Sequence, residues 1–210
     1  MTSKLVIGAL ITIGVATLLS SCASIPKNAN PVKDFNIDKY LGSWYEIARF
    51  DFRFEKDMNN VMAQYSLTDK NNVNVLNSGY NYKKEEWVSA NGIAKFRGNE
   101  NTAALKVSFF GPFYSGYNVI ALDDDYKYAL VAGKSLKYLW ILSREKSIPE
   151  EIKTEYLKIA QDVGYDTSKL IWVEHNQKSR FENELLRRPL LKPGLLYYLV
   201  SDHHDSCDIL

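Results

Sequence analysis

From Phe35 to about His175, apolar and aromatic side chains alternate with polar ones in short runs that recur every 8 to 12 residues. A period of two belongs to strands with one buried face. The runs are Trp44 to Phe52, Val61 to Thr68, Val73 to Tyr80, Trp87 to Phe96, Ala104 to Phe110, Tyr117 to Leu122, Tyr126 to Ala132 and Tyr138 to Ser143. Between them lie Asp69-Lys70-Asn71-Asn72, Gly98-Asn99-Glu100-Asn101, Gly111-Pro112, Asp123-Asp124-Asp125 and Gly133-Lys134-Ser135. These are turn compositions, because Gly and Asn tolerate positive φ and Pro fixes its own. Short turns predict sequential hairpins, and eight antiparallel strands lose their edges by closing into an up-and-down barrel whose interior accommodates one small ligand. Periodicity alone leaves a β-sandwich open.

The period then changes. Ile152, Tyr156, Ile159, Ala160 and Val163 share one helical face over about 149–163, with Ser147 as the expected cap, Pro149 in the first turn and Gly164 as the stop. Glu150 and Glu151 suit the positive end of such a helix. Leu170-Ile171-Trp172-Val173 predicts one last short strand.

The first residues follow neither period. Met1 to Lys4 is short and basic, Leu5 to Leu19 is a continuous run of apolar and small residues, and Leu19-Ser20-Ser21-Cys22 closes it. That arrangement predicts a secretory signal over 1–21, too short for a bilayer span of about 20 apolar residues. The closing residues resemble the bacterial lipobox, which implies a Cys22 acylated on sulfur as the mature N-terminus. Ala23 occupies the position where aspartate would mark inner-membrane retention, so the resemblance implies the outer membrane. Residues 22–33, with two prolines and no periodicity, are expected to serve as a lipidated tether.

Composition narrows the function. The 26 basic and 25 acidic residues leave a net charge of +1, no field that would draw nucleic acid. Cys22 and Cys207 are the only cysteines in 210 residues, too few for a disulfide scaffold. The three histidines, His175, His203 and His204, all lie beyond the strands, so no barrel histidine serves as a general base or haem ligand. No thiol lines the interior either. Glu46 faces inward by alternation, where a buried hydrogen-bonded role outweighs a catalytic one. No enzyme activity, cofactor or metal is expected. Asp202-His203-His204-Asp205-Ser206-Cys207-Asp208 has ligand-type side chains, but on a terminus expected to be loosely ordered no fixed ligand geometry is expected.

On three ordered motifs the chain resembles the lipocalins, specifically their bacterial membrane-anchored branch. Gly42-Ser43-Trp44-Tyr45-Glu46-Ile47-Ala48-Arg49 matches the G-x-W signature. Asp125-Tyr126 matches the signature between the sixth and seventh strands, and Trp140-Ile141-Leu142-Ser143-Arg144 the third. The resemblance covers about 34–176. It implies an eight-stranded barrel followed by one helix, with Trp44 plugging the closed end and Arg144 across its indole. It also implies storage or transport of a lipid in envelope maintenance.

Carrying that register strand by strand gives an expected inner set: Ala63, Tyr65, Val75, Asn77, Ala94, Phe96, Leu105, Val107, Phe109, Tyr117, Val119, Ala121, Ala129, Val131, Tyr138, Trp140 and Leu142. Of these, Tyr65, Asn77, Phe96, Val107, Phe109, Tyr117, Val119, Val131, Tyr138 and Trp140 are the candidate ligand contacts. Ala63, Ala94, Ala121 and Ala129 are expected to leave volume for it. Phe52, Phe54, Phe113 and Tyr114 are placed to ring the mouth. The expected ligand is a fatty acid or lysophospholipid, since each buried methylene contributes about 0.8 kcal/mol. The alternative is an interaction lipoprotein with a filled barrel. The sequence leaves oligomeric state open, a homodimer included. Residues 177–210, with apolar pieces too short to span a bilayer, are expected to form a loosely ordered extension.

Overall fold

The computed structural model describes residues 24–70 and 72–176. Cys22, the signal segment and the C-terminal residues 177–210 lie outside them. Contacts divide the chain into 1–175 and 176–210, and only Asn176 of the second unit is described.

Eight antiparallel strands close into a barrel: β1 Gly42–Phe50, β2 Met58–Leu67, β3 Val73–Asn81, β4 Glu86–Phe96, β5 Ala104–Ser108, β6 Ser115–Leu122, β7 Tyr128–Ala132 and β8 Leu139–Ser143. Each pairs with its neighbour in sequence, and β1 pairs with both β2 and β8, which leaves no sandwich edge. A four-residue helix α1, Ile37–Tyr40, precedes β1, capped by Asn36. Helix α2, Glu150–Val163, and strand β9, Leu170–Trp172, follow β8. β9 pairs with Ala48–Phe50 of β1. Beyond it Val173 donates to the Ile47 carbonyl at 2.9 Å and Asn60 to the Glu174 carbonyl at 2.8 Å, so this segment bridges β1 and β2 where their direct pairing ends.

Two apolar clusters divide the work. One fills the barrel around Trp44, Tyr65, Val75, Leu105, Val119 and Val131. The other lies outside the wall, where Tyr156, Ala160 and Val163 of α2 pack on Ile47, Ala48, Leu130 and Ile141. The helix stops where Gly164 adopts φ +110°, a left-handed conformation that costs glycine nothing. Ser147 does not cap α2: Pro149 occupies that place without a side-chain bond, and the Ser147 carbonyl instead accepts from Ser143.

Residues 24–33, expected as a tether, are packed. Ala29 is buried in the outer cluster, Val32 donates to the Val119 carbonyl at 2.9 Å, and its own carbonyl accepts from Ala103. Ser24 donates to the Lys134 carbonyl at 3.0 Å.

Candidate functional site

One end of the barrel is sealed. Trp44, fully buried, donates its indole N–H to the Tyr40 carbonyl at 2.8 Å. Arg144 lies over the indole, its guanidinium carbon 3.9 Å from the ring centroid, and Nη1 donates to the Ser43 carbonyl at 2.8 Å. Nη2 reaches the carbonyls of Lys39, Tyr40 and Leu41, and Nε that of Tyr126. A cation over indole contributes about 0.5–2 kcal/mol. The larger effect is geometric, because one guanidinium satisfies the carbonyls left over at the end of α1 and ties them to β1 and to the β6–β7 turn. Tyr126 in that turn adopts φ +57° and its hydroxyl accepts from the Asn36 amide. Asp125 is exposed and pairs with Lys127, whereas Asp123 accepts from the turn amides of Asp125, Lys127 and Tyr128. Gly42, at φ +91°, turns the chain into β1 beside Arg144.

Above this plug the inner face follows the strand pairs. Trp44 faces Ala63, Ala63 faces Asn77, Val75 faces Gly92, and Ala94 faces Val107. Leu105 faces Tyr117, Val119 faces Val131, and Val131 faces Trp140. The candidate contacts Tyr65, Phe96, Val107, Phe109, Tyr117, Val119, Val131 and Trp140 therefore share one interior, together with Asn77, whose buried Oδ1 has no hydrogen-bond partner. Tyr138 precedes β8 and stacks on Trp140, with Phe52 edge-on to both rings. Phe109 lies against Gly92, where a Cβ would collide with its ring.

Accessibility divides this interior into two halves. Toward the sealed end Trp44, Tyr65, Val75, Ala94, Leu105, Val119, Ala129 and Leu142 are buried. Toward the open end Ala63, Asn77, Val88, Val107, Phe109, Tyr117 and Trp140 stay half-buried although they point into a closed ring. Inward side chains of a closed barrel keep accessible surface only where the interior is hollow. The hollow is bounded by β2 to β6 and β8, and Ala63 and Ala90 face it.

One inward assignment, Ala121, needs correction, and two inward alanines, Ala94 and Ala129, do not leave the volume expected of them. β6 carries a bulge between Val119 and Ala121, so Ala121 pairs with Leu130 on the outer face beneath α2 and Leu122 takes the inner place. Ala94 and Ala129 sit in the solid lower half and hollow out nothing. Of the four small residues only Ala63 borders the space.

The sequence also missed a polar cluster. A second bulge, between Glu46 and Ala48, turns Arg49 inward opposite Trp140. Buried Arg49 donates through Nη1 to Glu46 at 2.9 Å and through Nη2 to the carbonyls of Glu55 at 2.7 Å and Met58 at 3.0 Å. Glu55, from the β1–β2 loop, accepts from the Trp140 indole at 3.2 Å, and its carboxylate lies 3.9 Å from Arg49 Nε. Burial, and then mutual repulsion, push the Glu46 carboxyl well above its ordinary range; burial also raises Glu55. Two carboxyls and one guanidinium thus share a dry site that favours retaining one proton. The cluster fixes the loop over the β1–β2 side of the mouth.

At the floor, the Tyr117 hydroxyl lies 2.7 Å from that of Tyr40 and 2.9 Å from that of Tyr65. Burial pushes all three phenols up, so they are neutral. Three O–H donors share two contacts, which leaves one hydrogen for a partner outside the triad. Neither this trio nor Arg49 stands out in the alternation, since Tyr40 belongs to α1 and Arg49 depends on a bulge.

Comparison with known proteins agrees with this geometry. The lipocalin-like domain family matches residues 35–175. The chain is 53% identical over 161 residues to outer membrane lipoprotein Blc of Citrobacter freundii, covering 76% of this chain and 91% of that protein. It is 52% identical over the same shares to Blc of Escherichia coli (strain K12). With Blc of Vibrio cholerae it shares 41% over 160 residues, 76% of this chain and 94% of that one. Among solved structures, insecticyanin from Manduca sexta superposes with a TM-score of 0.59 at 21% identity, over 76% of this chain and 89% of that one. A sealed eight-stranded barrel with a Trp44–Arg144 plug, a hollow upper half and these relatives place the chain in the lipocalin family.

Proposed function

We propose that this protein is a lipid-binding lipoprotein of the bacterial outer membrane, anchored through acylated Cys22, which stores or carries one fatty acid or lysophospholipid and catalyses no reaction. The observation that carries the ligand part is the accessible, largely apolar inner surface above a solid floor, bounded by Val88, Val107, Phe109, Tyr117 and Trp140. A single hydrocarbon chain suits so narrow a space. Each methylene that enters contributes about 0.8 kcal/mol before ordering costs. A lysophospholipid would leave its head group at the wet mouth, and a free acid would do the same. The relatives named outer membrane lipoprotein support the anchor and its membrane.

Native mass spectrometry of delipidated, refolded protein with added lysophospholipid or fatty acid tests the carrier role. One ligand per chain is expected for both classes. A spectrum with no adduct at any ligand excess sinks the proposal and favours a barrel that serves only as an interaction surface. Mass spectrometry of the protein extracted from membranes checks the acyl chains on the peptide that begins at Cys22.

A further inference from the structure

The exposed apolar side chains are not spread evenly over the barrel. Among the described residues eight large ones are exposed, and five of them, Phe54, Tyr82, Phe110, Phe113 and Leu136, belong to the four loops at the open end. Phe54, Phe110 and Phe113 are 60%, 67% and 76% exposed, and the rings of Phe54 and Phe110 lie 5.9 Å apart. The three turns at the sealed end contribute none. Charge follows the same axis. The open-end loops 51–57, 82–85, 109–114 and 133–138 hold six Lys or Arg against four Asp or Glu, and buried Glu55 is one of those four. The sealed-end turns 68–72, 97–103 and 123–127 hold three against five. Arg53 covers the Phe54 ring at 4.8 Å, a cation beside an aromatic.

The course of the N-terminal segment is an independent observation. From Phe35, bonded to Asn101 at the sealed end, the chain runs back up the wall past Ala103 and Val119. It reaches Ser24 at the open-end loop of Lys134, where the Ser24 carbonyl fills the space that a Cβ on Gly116 would need. Cys22 precedes Ser24 by two residues, and two residues of chain span at most about 7 Å.

We propose that the open end of the barrel is a membrane-docking surface: Phe54, Phe110 and Phe113 enter the bilayer that holds the Cys22 anchor, the rim cations face its anionic head groups, and the lumen opens onto lipid. This rests on Cys22 being the anchor, as proposed above. An aromatic rim flanked by cations suits an anionic phospholipid interface, where apolar burial and charge attraction add. Docked in this way, an acyl chain would pass between membrane and lumen without crossing water.

The test uses the full acylated chain with Cys207→Ser and an environment-sensitive fluorophore at either Phe113→Cys or Glu100→Cys, one at each end of the barrel. It is reconstituted on vesicles of phosphatidylethanolamine containing phosphatidylglycerol. A several-fold emission rise with a blue shift is expected at position 113, quenched by bromine-labelled lipid, and none at 100. For the unacylated Cys22→Ser chain, replacing Phe54, Phe110 and Phe113 together by Ser should weaken vesicle partition about tenfold or more. A response at 100 equal to or above that at 113 overturns the proposal. So does a label at 113 that is already shielded before vesicles are added, which would assign the rim to a second copy if the shielding depends on protein concentration, or to segment 177–210 if it does not. Acylated protein that floats with vesicles while 113 stays in water refutes docking and leaves the anchor standing; an unmodified Cys22 in membrane-extracted protein refutes the anchor itself.

Discussion

Arg49 and Arg144 occupy opposite ends of the lumen and act differently. Arg144 is a tie, joining five backbone carbonyls from α1, β1 and the β6–β7 turn beneath Trp44. Replacing it by Ala leaves those carbonyls to water and removes the cation from the indole; a loss of about 2–4 kcal/mol is expected in urea unfolding. Lys should recover only part, since one ammonium cannot fork among so many acceptors. Arg49 is instead, among the described residues, the one cation beside two buried carboxyls. Arg49→Met should cost about 3–5 kcal/mol at neutral pH, because it leaves Glu46 and Glu55 facing each other without a counter-charge, and less in acid, where both take up protons.

The same cluster makes stability depend on pH. Glu46 faces Arg49 on β1, Glu55 from the loop and the neutral Tyr65 phenol from β2, while the Trp140 indole of β8 donates to Glu55. Its folded carboxyl holds a proton more tightly than the unfolded one, first through burial and then through Glu55. The stabilisation from this group is therefore complete below the ordinary glutamate range and is lost as pH rises through the raised folded value. Unfolding free energies measured from acid to alkaline pH should decline over that window in the wild type and stay flatter in Glu46→Gln. An equal decline in both would assign the titration elsewhere.

At the scale of elements, the eight strands and the helix are legible because each depends on local rules. Alternation marks β1 to β8, and Asn, Asp, Gly and Pro mark five of the seven turns, while loops 51–57 and 82–85 carry no such signal. Helix α2 ends at Gly164 as its sequence predicts, and Gly164→Ala at φ +110° should cost about 1 kcal/mol in thermal unfolding. Alternation cannot reveal an extra residue. The bulges near Ile47 and Ile120 each reverse the facing of the later residues in their strand, which brings Arg49 in and puts Ala121 out. No composition rule marks either position, since Ile47 and Ile120 are themselves apolar residues that suit either face. The Trp44–Arg144 pair was legible from the ordered signatures; the Arg49 cluster and the Tyr40–Tyr117–Tyr65 hydroxyls were not, because each joins residues from elements whose register must be known first.

At the scale of the molecule, ligand capacity depends on where the barrel is solid and where it is hollow. Small residues were a poor guide, since Ala94 and Ala129 are buried among aliphatic strand neighbours in the packed half. The space lies instead where Val107, Asn77 and Trp140 keep accessible surface above the floor. Val107→Trp should therefore be nearly neutral for stability, within about 1 kcal/mol, while it reduces lipid affinity about tenfold or more. In a filled core the same overpacking costs about 1–3 kcal/mol.

The most direct measurement of that hollow is quenching of tryptophan fluorescence by a fatty acid carrying bromine on its chain. Trp140 borders the space, whereas Trp172 is on the outer wall. Saturable quenching at one fatty acid per chain, most of it lost in Trp140→Phe, is the result expected if the chain enters the upper lumen. Quenching that is absent, or that persists unchanged in Trp140→Phe, would contradict an acyl chain in the barrel.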